Sequence, residues 1–292
     1  MISINTNYGG IFAAKASSQA TLRVDQAMER LSTGKRINHA RDDSAGQAIA
    51  TRLAAEIEGL AMASRNVADG QSLVDTAESA LVETHALLLR MREISVQAAN
   101  GTLSTADNTA LNAEFQQLVA EIDRISDNTS WAGTKLLNGD STGAASTSAT
   151  FAFQAGVNNT TADTISVDIS NADSATLGIF DDSTTAGTND ITLTDATNAG
   201  LAIVAVDAAI AAVSTERGKL GAVSNRMSST MANLDQITVN LTASKGRIED
   251  ADFADETTNM TKNSVLQQAA TAMLSQANAA KNYARISTNI LR

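Results

Sequence analysis

The amino-acid sequence predicts a mainly α protein, an elongated antiparallel coiled-coil helical bundle with a small β-hairpin region in the middle of the chain. Three observations predict it. Six apolar residues fall on a strict seven-residue beat early in the chain, Leu53, Leu60, Val67, Val74, Leu81 and Leu88, and seven do so late, Val206, Val213, Leu220, Met227, Leu234, Leu241 and Ile248. A repeat of seven against 3.6 residues per turn keeps one stripe facing a partner only if the helices supercoil left-handedly. Aromatic residues make up only 3% of the 292 residues, which suits thin bundles better than a thick globular core. Proline is absent altogether. Long helices exclude it, and a chain that must be threaded and refolded avoids slow isomerisation steps without it.

In chain order, residues from about Gly10 to Thr33 read as a helix halted at Gly34, followed by a charged linker from Lys35 to Asp43. Ser44 with Gln47 three residues on forms a capping-box signature for the helix that holds the first heptad stripe. That helix is expected to stop at Asn100-Gly101. Leu111, Phe115, Leu118, Val119, Ile122 and Ile125 then mark an amphipathic helix ending near Asn128. Between Asn138 and Gly200 the chain is dominated by Gly, Ser, Thr, Asn and Asp, and Thr164–Ile169 and Asp190–Thr194 alternate as strands do. The second stripe predicts a helix from Val206 to Ile248, where Gly218, Gly221 and Gly246 favour a local break. Asn259–Arg292 reads as a last helix. Helical segments at both ends, outside the main bundle, would gain most of their stability by packing on something else, and another copy of the chain is the expected partner.

Composition excludes several classes of function. Without cysteine there is no disulfide, thiolate nucleophile or Cys-based metal site. His39 and His85 stand in no metal-ligand spacing, no nucleophile elbow or phosphate-cradling loop occurs, and Asp42-Asp43 and Asp181-Asp182 read as solvated loop charge. No catalytic residue, cofactor or metal is therefore expected. The start at Met1 lacks a basic, then apolar, export signal, and no stretch reads as a membrane span. The net charge of −11 is concentrated between Lys135 and Arg217, where no Lys or Arg occurs, so nucleic acid is not an expected partner. Asn-x-Ser/Thr sequons at Asn100, Asn128, Asn158, Asn159, Asn240 and Asn259 are attributed to chance in so Asn- and Thr-rich a chain.

Several long motifs, in order, resemble one family. Leu31-Ser32-Thr33-Gly34-Lys35-Arg36-Ile37-Asn38, continuing through Arg41-Asp42-Asp43-Ser44-Ala45-Gly46, is similar to the N-terminal signature of bacterial flagellin. Met91–Gly101, Arg247–Phe253, Gln267-Gln268-Ala269 and the terminal Leu291-Arg292 are further matches, so the resemblance spans both helical arms. It implies a non-enzymatic subunit that polymerises into the extracellular flagellar filament for motility, with a hook-filament junction protein as the alternative.

The same resemblance implies an arrangement: residues 1–43 with 251–292 as terminal helices of an inner filament core, 44–137 with 201–250 as a helical rod, and 138–200 as a small β-rich outer region. Subunit packing is expected of Leu53, Leu60, Val67, Val74, Leu81, Leu88, Leu220, Met227, Leu234 and Leu241. Export unfolded through the flagellar type III channel is implied, as are an export chaperone, the filament cap and hook-junction proteins as partners. A patch read by an innate immune receptor would comprise Arg90, Glu114, Val206, Ile210 and Arg226, with Leu89 standing where the family pattern has a polar residue.

Overall fold

A computed structural model of the chain describes residues 6–139, 148–179 and 191–290. Among them are helices α1 (Tyr8–Thr33), α2 (Ser44–Ala98), α3 (Thr105–Asn128), α4 (Ala196–Glu249) and α5 (Phe253–Ile290). Strands β1 (Ser130–Trp131) and β2 (Thr134–Lys135) form one hairpin, and β3 (Ser148–Gln154) and β4 (Thr164–Ser170) another. The fold is mainly helical with a small antiparallel region in the middle, as the sequence predicts. The chain forms two compact units, Met1–Ile57 with Val239–Arg292, and Glu58–Thr238, and α2 and α4 run through both.

In the unit Glu58–Thr238, α2 and α4 are antiparallel. Gln71 Nε2 donates to Ser228 Oγ at 3.4 Å, Arg217 to Glu78 Oε1 at 2.8 Å and Arg92 Nε to Asp207 Oδ1 at 2.6 Å, so positions rise along α2 as they fall along α4. Leu60, Val67, Val74, Leu81 and Leu88 are buried, and so are Val206, Val213, Leu220, Met227 and Leu234. A second position is buried in most heptads as well, by Ala63, Gly70, Ala77, Thr84 and Met91 on α2 and by Ala202, Ala209 and Glu216 on α4, while Val223 and Thr230 are half-buried. Two such positions every seven residues make the continuous seam of a coiled coil.

Other elements of this unit are fastened to the helices of that seam or to α3. Helix α3 starts with a capping box in which the Ser104 hydroxyl accepts the Asp107 N–H while the Asp107 carboxylate accepts the Ser104 N–H, and it buries Phe115, Val119 and Ile122. The β3–β4 hairpin is in register from Ser148 opposite Ser170 to Gln154 opposite Thr164. Phe151 faces Val167 and Phe153 faces Ile165 on the side where Ala149 and Ile169 are buried. Gly70 admits it: a Cβ there would lie 3.0 Å from both Phe153 Cγ and Met227 Cε. Two carboxylate clamps hold the chain from the end of β4 onward, the buried Glu216 accepting the N–H and hydroxyl of Ser170 at 3.0 and 3.1 Å, and the half-buried Asp123 those of Ser174 at 2.8 and 2.9 Å.

Four expectations are corrected. Helix α4 is unbroken through Gly218, Gly221 and Gly246. Helix-wide packing, rather than local propensity, holds it, and a Cβ at Gly218 or Gly221 would meet nothing within 4 Å. The start of α2 is capped by Asp43, whose carboxylate accepts the Gly46 N–H at 2.9 Å; Ser44 is already the first helical residue, so no Ser44–Gln47 box forms. Residues 191–193 are irregular, because Leu193 gives its N–H to the Asn112 side chain at 2.9 Å in place of a strand partner; Asp190 and Asp181-Asp182 lie outside the described residues. The β1–β2 hairpin was not expected. Its turn places both Ala132 (φ 49°) and Gly133 (φ 87°) in the left-handed region, the geometry of a tight hairpin turn.

The glycines of α2 and α4 should respond oppositely to alanine. Gly218→Ala and Gly221→Ala should each raise stability by up to about 1 kcal/mol, since only helix propensity changes. Gly70→Ala should lower it, because overpacking costs roughly 1–3 kcal/mol and outweighs that gain. Urea unfolding followed by circular dichroism checks both signs.

Candidate assembly surface

Helices α1 and α5, both in the unit Met1–Ile57 with Val239–Arg292, lie antiparallel. Asn7 Nδ2 donates to Ala277 O at 3.1 Å, Gln267 Nε2 to Thr21 Oγ1 at 2.8 Å, and Arg30 pairs with Glu256 at 3.7 Å. Their seam repeats every seven residues too, but mostly in small and polar side chains. On α1 it buries Gly10, Ala13, Ala20, Val24 and Ala27. On α5 the covered positions are Glu256, Met260, Asn263, Gln267, Ala270, Leu274 and Ala277, of which Asn263 is buried and the others half-buried.

Most of the large apolar side chains point the other way. Tyr8 is 73% exposed, Phe12 77%, Leu22 67%, Val265 58% and Met273 63%, with Ile11, Met28, Phe253 and Leu266 also exposed. Phe12 and Met273 border an apolar groove of about 480 Å³ floored by Gly9, Ala13, Ala16, Ala270 and Ala277. This is inverted amphipathicity: the chain covers its alanines and leaves its large side chains to water. Each such side chain forgoes roughly 1.5–3 kcal/mol that burial would supply. An exposed apolar surface of this kind marks an interaction site.

The linker after α1 is built into a clasp with the end of α4. Gly34 ends α1 with φ 70°, a left-handed conformation that suits glycine. Lys35 bridges to Asp250, with the Arg36 N–H donating to Glu249 O at 2.6 Å and the Ala251 N–H to Gly34 O at 3.0 Å. Arg36 Nη2 donates to Ile248 O at 2.9 Å and Lys35 pairs with the buried Glu249 carboxylate at 3.1 Å. Asp42, read from sequence as solvated charge, accepts the N–H groups of His39 at 3.0 Å and Asn38 at 3.2 Å. His39 in turn reaches Glu29 at 2.8 Å. Nothing in the sequence distinguishes these carboxylates from surface ones, except that they end a charged run immediately before a helix.

Of the residues expected to pack, Leu53 in α2 and Leu241 in α4 are half-buried, while the others lie in the buried α2–α4 seam. Within the expected receptor patch, Arg90 donates to Glu114 at 2.8 and 3.1 Å and pairs with Glu93 at 3.0 Å. These bonds, the one to Glu114 foremost, raise the pKa of the guanidinium further. Ile210 is half-buried and Arg226 exposed, whereas Val206 is fully buried in the seam, where a partner cannot touch it. Arg226 lies sixteen residues from Ile210 on the same helix, roughly 24 Å away.

Helix α4 also contains an 18-residue stretch of mean hydropathy 1.8, long and apolar enough to cross a membrane by composition, contrary to expectation. Its Val206, Val213 and Leu220 are buried in the seam with α2, and its Asp207 is paired with Arg92.

Paired end helices with apolar outer faces and a heptad-seamed helix pair describe a helical structural protein that presents an interaction surface. Comparison with known proteins specifies which. The profile of the bacterial flagellin N-terminal helical region matches residues 4–142, and that of the C-terminal helical region matches residues 203–283. The chain is 46% identical over 255 residues to a flagellin of Halalkalibacterium halodurans, covering 87% of each chain. It is 41% identical over 293 residues to a flagellin of Bacillus subtilis, covering 94% of this chain and 96% of the relative. A solved structure described as a flagellar hook-associated protein of Vibrio parahaemolyticus has a similar fold, with a TM-score of 0.57 at 16% identity over 72% of this chain and 100% of that one. The chain belongs to the bacterial flagellin family and is a structural subunit of the flagellar filament.

The Asp42 clasp should be acid-sensitive. The His39 N–H bond is the main cause that holds the Asp42 carboxyl below its ordinary value, against a smaller desolvation effect. A depressed folded pKa gives stability that is present above the ordinary Asp range and lost as pH falls through the folded value. The protection of the Asn38 and His39 amides, measured as exchange relative to the intrinsic rate at each pH, should therefore fall below about pH 4, and Asp42→Asn should remove that pH dependence.

Proposed function

We propose that this subunit polymerises by covering the outer faces of α1 and α5 with the same helices of neighbouring copies. The inverted seam of these helices carries the reading, because their largest apolar groups find no cover within their own unit. In this arrangement residues 1–43 and 251–292 form the inner tube of the filament. Residues 44–137 and 201–250 form the surrounding rod, and 138–200 its outer surface. Half-buried Leu53 and Leu241 offer apolar area to adjacent copies, whereas the seam residues from Leu60 to Leu88 and from Leu220 to Leu234 stiffen the subunit that makes the contacts.

The flagellin family supports the rest of the assignment. The subunit reaches the cell exterior unfolded through the flagellar type III channel, helped by an export chaperone, and adds to the filament beneath its cap, above the hook-junction proteins. Recognition by an innate immune receptor would rest on Arg90 and Glu114 with Ile210, because Val206 is buried and Arg226 is distant.

Phe12→Asp and Met273→Glu place charge on the outer faces without touching the α1–α5 seam. Both variants should keep wild-type helicity by circular dichroism and lose elongation from filament seeds under the electron microscope. Wild-type elongation by both would overturn the proposal. Arg90→Ala should leave elongation intact and reduce receptor signalling; unchanged signalling would remove the receptor from the reading.

A further inference from the structure

The chain contains two Asn-Gly steps, Asn100-Gly101 and Asn138-Gly139, and they sit in opposite surroundings. Asn100 and Gly101 are both exposed in the turn between α2 and α3. The Gly101 N–H makes no hydrogen bond among the described residues, and a Cβ at Gly101 would meet nothing within 4 Å. The Thr102 N–H donates to Asn100 Oδ1 at 3.3 Å. That bond draws electron density from the side-chain carbonyl and closes an Asx turn whose ring includes the Gly101 nitrogen. Asn138 is half-buried, and Gly139 is buried at φ 71°.

We propose that Asn100 is a site of spontaneous covalent modification, an intramolecular deamidation assisted by the turn that holds it. The Gly101 nitrogen attacks Asn100 Cγ, forming the N–Cγ bond of a succinimide. The Cγ–Nδ2 bond breaks, and the leaving NH2 takes the Gly101 amide proton to depart as ammonia. Water then adds across one of the two imide C–N bonds, its hydroxyl to the carbon and its proton to the nitrogen. Opening at Cγ gives aspartate; opening at the main-chain carbonyl gives isoaspartate, with the backbone routed through Cγ. No oxidant or enzyme is needed, and glycine at 101 leaves the attacking nitrogen unshielded.

Either product matters locally. The new carboxylate stands two residues beyond the end of α2, where unpaired carbonyls already make the helix terminus negative. Isoaspartate also lengthens the main chain in the turn that leads into the Ser104–Asp107 capping box of α3. The modified protein should therefore open more readily at this turn.

The test is to hold the full-length monomer at mildly alkaline pH in heavy-oxygen water and map its peptides by mass spectrometry. Residue 100 should gain the labelled acid well ahead of residue 138, as both aspartate and isoaspartate. Gly101→Ala should nearly abolish labelling at 100 and leave the rate at 138 unchanged. Gly101 is not among the residues of positive φ, so the alanine fits its backbone, and an unchanged melting curve confirms that the variant folds. Persistence of the amide at residue 100 while other sites convert, or wild-type labelling in Gly101→Ala, would overturn the proposal.

Discussion

The antiparallel seam between α2 and α4 in the unit Glu58–Thr238 is the contact to which the rest of that unit is fastened. Its seven-residue period supplies a straight row of buried side chains, and the row leaves flanking faces on which other elements dock. The β3–β4 hairpin uses a point where α2 has no side chain, Gly70, so that Phe153 and Met227 meet over bare backbone. The segment after β4 is tied down differently, by carboxylates of α3 and α4 that each take two hydrogen bonds from one serine. Charge pairs such as Arg92–Asp207 and Arg217–Glu78 line the seam's edges. Partly exposed pairs of this kind contribute little to stability but set register and polarity.

The end helices follow the same periodicity with the opposite chemistry. Ala13, Ala20 and Ala27 let the backbones of α1 and α5 come close, and Asn263 and Gln267 satisfy their own polar atoms across or along the seam. A pairing of alanines buries little area, so it stabilises the hairpin weakly by itself. Weak pairing with apolar outward faces suits the assembly proposed above, in which neighbours would supply the missing burial. A globular protein would place Phe12 and Met273 inside.

The helices were legible because heptad positions in α2 and α4 are filled by Leu, Val and Met, which stand out against polar neighbours. The seam of α1 and α5 was not, since alanine, asparagine and glutamine give no apolar beat. The α2 cap was assigned to Ser44 when Asp43 performs it, because both residue types cap well and only backbone geometry separates adjacent candidates. The glycines of α4 looked like breaks for want of any signal that α2 would hold the helix straight through them. The ion pair of Arg90 and Glu114, two residues of the expected receptor patch, needed the α2–α3 turn to bring together residues 24 positions apart.

By itself the sequence determined the helical class, the antiparallel pairing of two heptad arms, the polar acidic middle and, through its long motifs, the flagellin family. These are consequences of local periodicity and of residue order, which are properties of the chain alone. Tertiary structure decided which side of each helix faces inward, which carboxylates are clamps rather than surface charge, and which expected contact residues a partner could reach. Those depend on burial, and burial is a relation between segments that no single segment encodes.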